Sequence, residues 1–156
     1  MSGTELLADK FSLRDDVNYQ WRIASRPIGN VRQDNFEWHE CPIPAIREGE
    51  VLLETMYLGL APVMRMYMMG TDRTGDAKQE IGDVIRGRGI AKIVQSRHPD
   101  WSVGEIVQGQ IGWQTYAVSN MAPEERFFRV TTHDLPYSLA AGVLGNGRTF
   151  GARRVF

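Results

Sequence analysis

The sequence predicts a mainly β (α+β) fold, a barrel or sandwich with one or two short helices. Two observations carry that expectation. Apolar residues recur in short, often alternating runs, and Gly and Pro punctuate the chain between them. Only late in the chain do apolar residues recur at a spacing of four, at Leu135, Leu139 and Val143. Pro136 stands at the start of that stretch, a position where a helix loses nothing by the missing N–H.

Taken in order, residues 1–18 carry Glu5, Asp9, Lys10, Arg14, Asp15 and Asp16 with weak periodicity, and are expected to be an N-terminal extension. Gln20 to Ala24 places Trp21 and Ile23 on one face of a first strand, punctuated by Pro27 and Gly29. Asn35 to Cys41 is a second strand, stopped by Pro42 and Pro44. The turn Glu48-Gly49-Glu50 leads into Val51 to Leu58, the strongest strand, with Glu54 interrupting an apolar run. The chain then breaks at Gly59 and Pro62 and becomes Met-rich around one cation, Arg65. Such a segment suits either the rim of a pocket or a packed helical turn beneath a core strand.

Thr71 to Lys78 is polar and glycine-containing, as in a mobile surface loop. Gly87 to Gln95 is the next strand, and His98-Pro99-Asp100 turns the chain. Ile106-Val107, Trp113 to Val118 and Phe127 to Val130 complete the set. Neither an internal repeat nor a low-complexity segment is present.

At 156 residues the chain is long enough for one domain with a real core. Lys plus Arg number 18 against 19 Asp plus Glu, a net charge of -1, which leaves no broad basic field for nucleic acid. Hydrophobic content of 42% argues against disorder. The longest apolar stretch is broken by Glu54 and ended by Pro62 and Arg65, too short to span a bilayer. The charged start is unlike a secretory signal. A single cysteine, Cys41, excludes an internal disulfide. The expected setting is the cytoplasm, with no nucleic-acid or membrane partner.

Three kinds of chemistry find little support. The candidate metal ligands His39, Cys41, His98 and His133 lack the paired spacing of a zinc site, so no metal is expected. A Gly-x-Ser-x-Gly elbow is absent, and Cys41 has no activating context. The glycine-rich run Gly145-Asn146-Gly147-Arg148-Thr149-Phe150-Gly151 follows a helix pattern rather than a strand. It therefore lacks the βαβ setting that places amide N–H groups and a helix dipole at a pyrophosphate.

Several local patterns do converge in order. Gln20-Trp21-Arg22-Ile23-Ala24-Ser25-Arg26-Pro27 resembles the opening strand of the zinc-independent medium-chain dehydrogenase/reductases, in the branch of prostaglandin reductases, alkenal double-bond reductases and curcumin reductase. Tyr57-Leu58-Gly59-Leu60-Ala61-Pro62-Val63-Met64-Arg65 is similar to that branch's Tyr-Leu-Ser-x-Asp-Pro-Tyr-Met-Arg. Gly87-Arg88-Gly89-Ile90-Ala91-Lys92-Ile93-Val94 is similar to its glycine-bounded central strand. Ser96-Arg97-His98-Pro99, Val103-Gly104-Glu105 and Gly112-Trp113-Gln114-Thr115-Tyr116-Ala117-Val118 follow in the family's sequence. Leu135-Pro136-Tyr137-Ser138-Leu139 to Gly145 resembles the helix that leads into a second domain.

The resemblance implies a GroES-like, partly open β-barrel over residues 19–145, the substrate-side half of a two-domain oxidoreductase whose Rossmann domain holds NADPH. Hydride goes to the β-carbon of an α,β-unsaturated carbonyl compound, an enal or enone, and charge collects on the carbonyl oxygen before the α-carbon is protonated. The cofactor carries the hard chemistry, and the protein contributes orientation and hydrogen-bond donors. By resemblance Pro62, Val63, Met64, Arg65 and Trp113 line the substrate and cofactor cleft, with Gly145 on the cofactor side. Arg65 suits a substrate oxygen, a phosphate or an interface ion pair.

The departures sharpen these expectations. The family's Asp before the Pro is Ala61, and its Tyr is Val63, which cannot donate a hydrogen bond. Residues 146–156 diverge from the family's Leu-Gly-Met-Pro-Gly-Leu-Thr-Ala-Tyr, and a Rossmann domain of about 150 residues is expected to be missing. The expectation is a truncated or remnant chain, inactive alone and a poor binder of NADP. The alternative is a non-catalytic module that forms a homodimer or pairs with another chain through apolar surface near the Met-rich segment.

Overall fold

Val51 to Leu53 is the most deeply buried stretch of its strand, and the larger sheet is assembled around it. The computed structural model describes residues 14–70, 79–131 and 136–141. Strands β1 (Val17–Ile23) and β2 (Phe36–Pro42) pair antiparallel as a small sheet. Strands β3 (Val51–Leu58), β4 (Arg88–Ser96), β5 (Ile106–Gln110), β6 (Tyr116–Ser119) and β7 (Phe128–Arg129) form a second, antiparallel sheet in the order β6-β3-β4-β5-β7. Among the described residues two helices, α1 (Val63–Met68) and α2 (Ser138–Ala141), complete the regular elements, with 3-10 turns at Gln33–Asn35 and Pro123–Glu125.

The two sheets are joined without closing into a barrel. The Trp21 N–H donates to the Trp113 carbonyl at 2.9 Å, the Thr115 N–H to Tyr19 at 3.0 Å, and the Ile85 N–H to Trp21 at 3.0 Å. Side chains repeat the junction, since the Gln20 amide donates to Gln114 Oε1 at 2.9 Å. The architecture is therefore mainly β and partly open, as the sequence predicts.

Alternation along β3 sends Val51 and Leu53 into the main core with Ala91, Ile93, Val107, Ile111, Ala117 and Met121. A smaller core gathers Ile23, Met68 and Ile85 under Trp21, Phe36 and Trp113. The β3–β4 register shifts twice, between Leu52 and Leu53 and between Thr55 and Tyr57. At the second shift β4 approaches so closely that a β-carbon on Gly89 would overlap the Tyr57 carbonyl oxygen.

Differences from the sequence expectation have local causes. β1 begins at Val17 rather than Gln20, because Asn18 is buried and its side-chain oxygen accepts from the Tyr116 N–H at 2.9 Å and from Thr115 Oγ1 at 3.1 Å. β6 begins at Tyr116 rather than Trp113. Gly112, at φ 81°, turns the chain, and residues 113 and 115 donate to Ile85 and Tyr19 instead of to a sheet neighbour. The start of the N-terminal extension, the loop Thr71 to Lys78 and the tail 146–156 lie outside the described residues. No described helix is long and apolar enough to cross a membrane.

Candidate functional site

The Met-rich segment folds as α1 because Pro62, at φ -56°, fits a helix start and the Met64 N–H reaches the Ala61 carbonyl at 3.0 Å. Met64 and Met68, four residues apart, share the buried face of this helix. Val63 and Tyr67 share the neighbouring, half-buried face at the same spacing. Arg65 points outward and donates to the Gly29 carbonyl at 2.5 Å.

The far end of α1 is held by Arg26. Its guanidinium donates to the Met68 carbonyl and to the Gln79 carbonyl, both at 2.6 Å, and pairs with Glu80 at 3.3 Å. Gly70, at φ 66°, lets the chain leave the helix; a β-carbon there would lie 2.8 Å from Arg26 Nη2. Arg26→Ala is expected to lower stability by about 2 kcal/mol, because two carbonyls lose a charged donor. Arg26→Lys should recover only part of the loss, since one ammonium cannot reproduce the planar fork. Urea denaturation of both variants checks the order, and a Lys variant as stable as wild type would contradict it.

Beside α1 lies a cleft of about 740 Å³. Tyr67 lines it from the helix, and Arg86, Arg88 and Gln110 line it from the second sheet and its approach. Arg88 sits opposite Gln110 in the β4–β5 register, so the two side chains leave the sheet on the same face. The Arg86 guanidinium lies 5.4 Å from the Tyr67 ring centroid, within cation–π reach. Leu53, Ile111, Ala117 and Phe127 give the cleft apolar wall. Glu124, Glu125 and Arg126 reach it from the segment after β6, and Glu125 already accepts from Ser119 Oγ.

Three polar groups here stand out. Gln110 Oε1 is buried with no hydrogen-bond partner. The Tyr67 hydroxyl and the Arg88 guanidinium have no hydrogen-bond or ion-pair partner among the described residues.

Trp113 occupies a neighbouring position. It stacks on Phe36 with centroids 5.8 Å apart and planes 6° apart, and its Nε1 is also buried without a partner. With Trp21, Gln33 and Phe36 it lines an open pocket of about 500 Å³. A β-carbon on Gly87 would lie 2.8 Å from the Trp113 ring and 3.3 Å from Met64 Cε, so glycine allows both side chains to close on this strand approach.

Of the residues expected to line a cleft, the structure brings both Met64 and Trp113 up to Gly87. It leaves Pro62 exposed at the start of α1, Val63 half-buried beside it, and Arg65 on the Gly29 carbonyl. None of these five lines the 740 Å³ cleft. Gly145 lies outside the described residues. Sequence reasoning missed Tyr67, Arg86, Arg88 and Gln110. The available signals were the four-residue step from Val63 to Tyr67 and the alternation of Arg86 and Arg88.

Glu54, the one charge inside the β3 run, is half-buried and accepts from the Tyr116 hydroxyl at 3.4 Å. Burial, and then the Glu54 carboxylate, push the Tyr116 phenol above its ordinary value. His39 pairs with Glu37 at 3.1 Å. Among the described residues no three His, Cys, Asp or Glu side chains group as metal ligands.

Comparison with known proteins places this geometry. The family described as N-terminal domain of oxidoreductase matches residues 19–130. NADPH-dependent curcumin reductase of Escherichia coli (strain K12) is 36% identical over 128 residues, covering 82% of this chain and 36% of that protein. Prostaglandin reductase 1 of Oryctolagus cuniculus is 30% identical over 125 residues, covering 80% of this chain and 34% of that protein. The crystal structure of CurA from Vibrio vulnificus superposes with a TM-score of 0.70 at 32% identity, covering 86% of this chain and 39% of that chain. The chain thus spans about a third of the length of the curated relatives it matches. With the matched segment running from β1 through β7, the chain belongs to the family of oxidoreductase N-terminal domains, in the zinc-independent medium-chain branch with the curcumin and prostaglandin reductases.

Proposed function

We propose that this chain supplies the substrate-side wall of an NADPH-dependent reductase that saturates the C=C bond of α,β-unsaturated carbonyl compounds. The observation that carries the proposal is the 36% identity to NADPH-dependent curcumin reductase over 128 residues. The free Tyr67 hydroxyl at the cleft adds chemical support.

When bound, NADPH supplies the hydride, which adds to the β-carbon. This chain's residues orient the carbonyl and meet the charge that develops on its oxygen. Val63 cannot donate a hydrogen bond, but Tyr67, one helical turn later on the same face, can. In this reading Tyr67 donates a hydrogen bond to the enolate oxygen, the apolar wall of Leu53, Ile111 and Phe127 holds the alkene, and the α-carbon then takes its proton from solvent water, leaving hydroxide to the bulk. Little turnover is expected from the 156 residues alone, because the hydride donor needs a nucleotide site that the matched segment does not supply.

Placing residues 19–130 of this chain into the Escherichia coli curcumin reductase, in exchange for its corresponding segment, tests the reading. Oxidation of NADPH with trans-2-hexenal is followed in the chimera. Turnover is expected, with a drop of about a hundredfold in kcat for Tyr67→Phe, the size of losing one oxyanion donor. A folded chimera that oxidises no NADPH with 2-alkenals overturns the assignment. Robust turnover by the 156-residue chain alone overturns the expectation of inactivity.

A further inference from the structure

We propose that the 740 Å³ cleft selects ligands that carry an anionic group, a carboxylate or a phosphate, on an apolar body. This deepens the reductase reading only in calling that ligand the substrate; the binding itself is independent of turnover.

The argument begins with charge. Arg86, Arg88 and Arg126 all line the cleft, against the two carboxylates of Glu124 and Glu125. Glu125 is engaged by Ser119 Oγ, and Glu124 is exposed. Arg88 is half-buried, yet its guanidinium has no hydrogen-bond or ion-pair partner among the described residues. A guanidinium without a counter-charge leaves its donors available, and a carboxylate or phosphate fits its planar fork through paired N–H donors.

A second observation is independent of charge. Directly across the β4–β5 register from Arg88, Gln110 Oε1 is buried without a partner. An oxygen there cannot bond to an anion, but the same amide turned about its last torsion presents its two N–H donors to an anion that Arg88 holds. The volume suits a small organic molecule, since ligand pockets run to about 300–1,000 Å³. The apolar body has its own place against Leu53, Ile111, Ala117 and Phe127.

The cations arise from two separate segments. Arg86 and Arg88 alternate on the approach to and first residue of β4, and Arg126 follows the Pro123–Glu125 turn in a left-handed conformation at φ 54°. One anionic group is met by Arg88, with Arg86 held over Tyr67 and Arg126 reaching in from the exposed side.

Isothermal titration of the 156-residue chain with matched probes tests the proposal. The probes are trans-cinnamate, cinnamyl phosphate and neutral trans-cinnamamide. At least one anion is expected to bind about tenfold or more tightly than the amide, the size of one charge-assisted hydrogen bond. That preference should fade as salt rises. Comparison of the carboxylate and phosphate arms identifies which anion the cleft takes.

Arg88→Gln should reduce the preference to about twofold or less, whereas Arg88→Lys should keep part of it. Should the Gln variant not fold, the anion-to-amide ratio and its salt dependence in wild type still decide the matter. Equal affinity for the anions and the amide, no binding of any probe, or a preference unchanged in a folded Arg88→Gln variant would each overturn the proposal. Adenosine 2′-phosphate serves as a competitor. If it displaces the bound anion with an Arg88-dependent affinity equal to or above that anion's own, the cations serve a cofactor phosphate and the substrate assignment fails.

Discussion

Alanine at Gly89 is expected to destabilise the domain by about 3 kcal/mol, at the upper end of the usual cost of overpacking. The added methyl has nowhere to go. Its nearest neighbour is the Tyr57 carbonyl oxygen, a backbone atom fixed by the β3–β4 pairing, and Leu58 Cδ2 and Ile111 Cδ1 close in at 3.2 and 3.3 Å. Relief requires pulling β4 off β3 at the point where the Gly59 N–H reaches the Arg88 carbonyl at 2.9 Å. Gly109→Ala is a natural control. Its methyl would overlap the Phe127 ring, a half-buried side chain that can turn aside. Urea midpoints should therefore fall further for Gly89→Ala than for Gly109→Ala, and the reverse order would show that β4 can yield where the register suggests it cannot.

Leu53→Ala is expected to cost about 3 kcal/mol, within the 2–5 kcal/mol typical of emptying a buried aliphatic site. Leu53 is 0% exposed and packs in the main core with Val51, Ala91 and Ile93. It also forms part of the cleft wall. The void left by alanine therefore opens toward the cleft instead of being sealed. Ile93→Ala, buried in the same cluster without lining the cleft, should cost at least as much. Thermal or urea unfolding of the two variants measures the difference, and a Leu53→Ala protein within 1 kcal/mol of wild type would be at odds with this packing.

Legibility from sequence followed the physical origin of each element. β3 matches its expected bounds because an apolar run between Gly49 and Gly59 needs no distant partner to define it. Sequence alone starts β1 three residues late because Val17 and Asn18 sit beside the charged Asp15 and Asp16, and nothing local announces that Asn18 is buried to accept hydrogen bonds from residues 115 and 116. The site shows the same division. Family resemblance names Met64 and Trp113 together, and the absence of a side chain at Gly87 is what lets each of them close on that point. Tyr67, Arg88 and Gln110 escaped notice because they come from three segments, and the juxtaposition of the last two depends on a strand register that composition does not encode.

The junction between the two sheets also has a temporal meaning. The Gln20–Gln114 contact spans 94 positions, and the Tyr19 and Asn18 contacts with residues 115 and 116 span slightly more. During synthesis at about 5–20 residues per second, β1 waits roughly 5–20 s for these partners to be made. Until then it has β2 alone, and an isolated two-stranded pair is marginal in water. The aromatic pairs Trp21–Trp38 and Tyr19–Trp38, at 4.8 and 5.3 Å, can hold that early hairpin together. Assembly of the second sheet then supplies the backbone partners that make the first strand permanent.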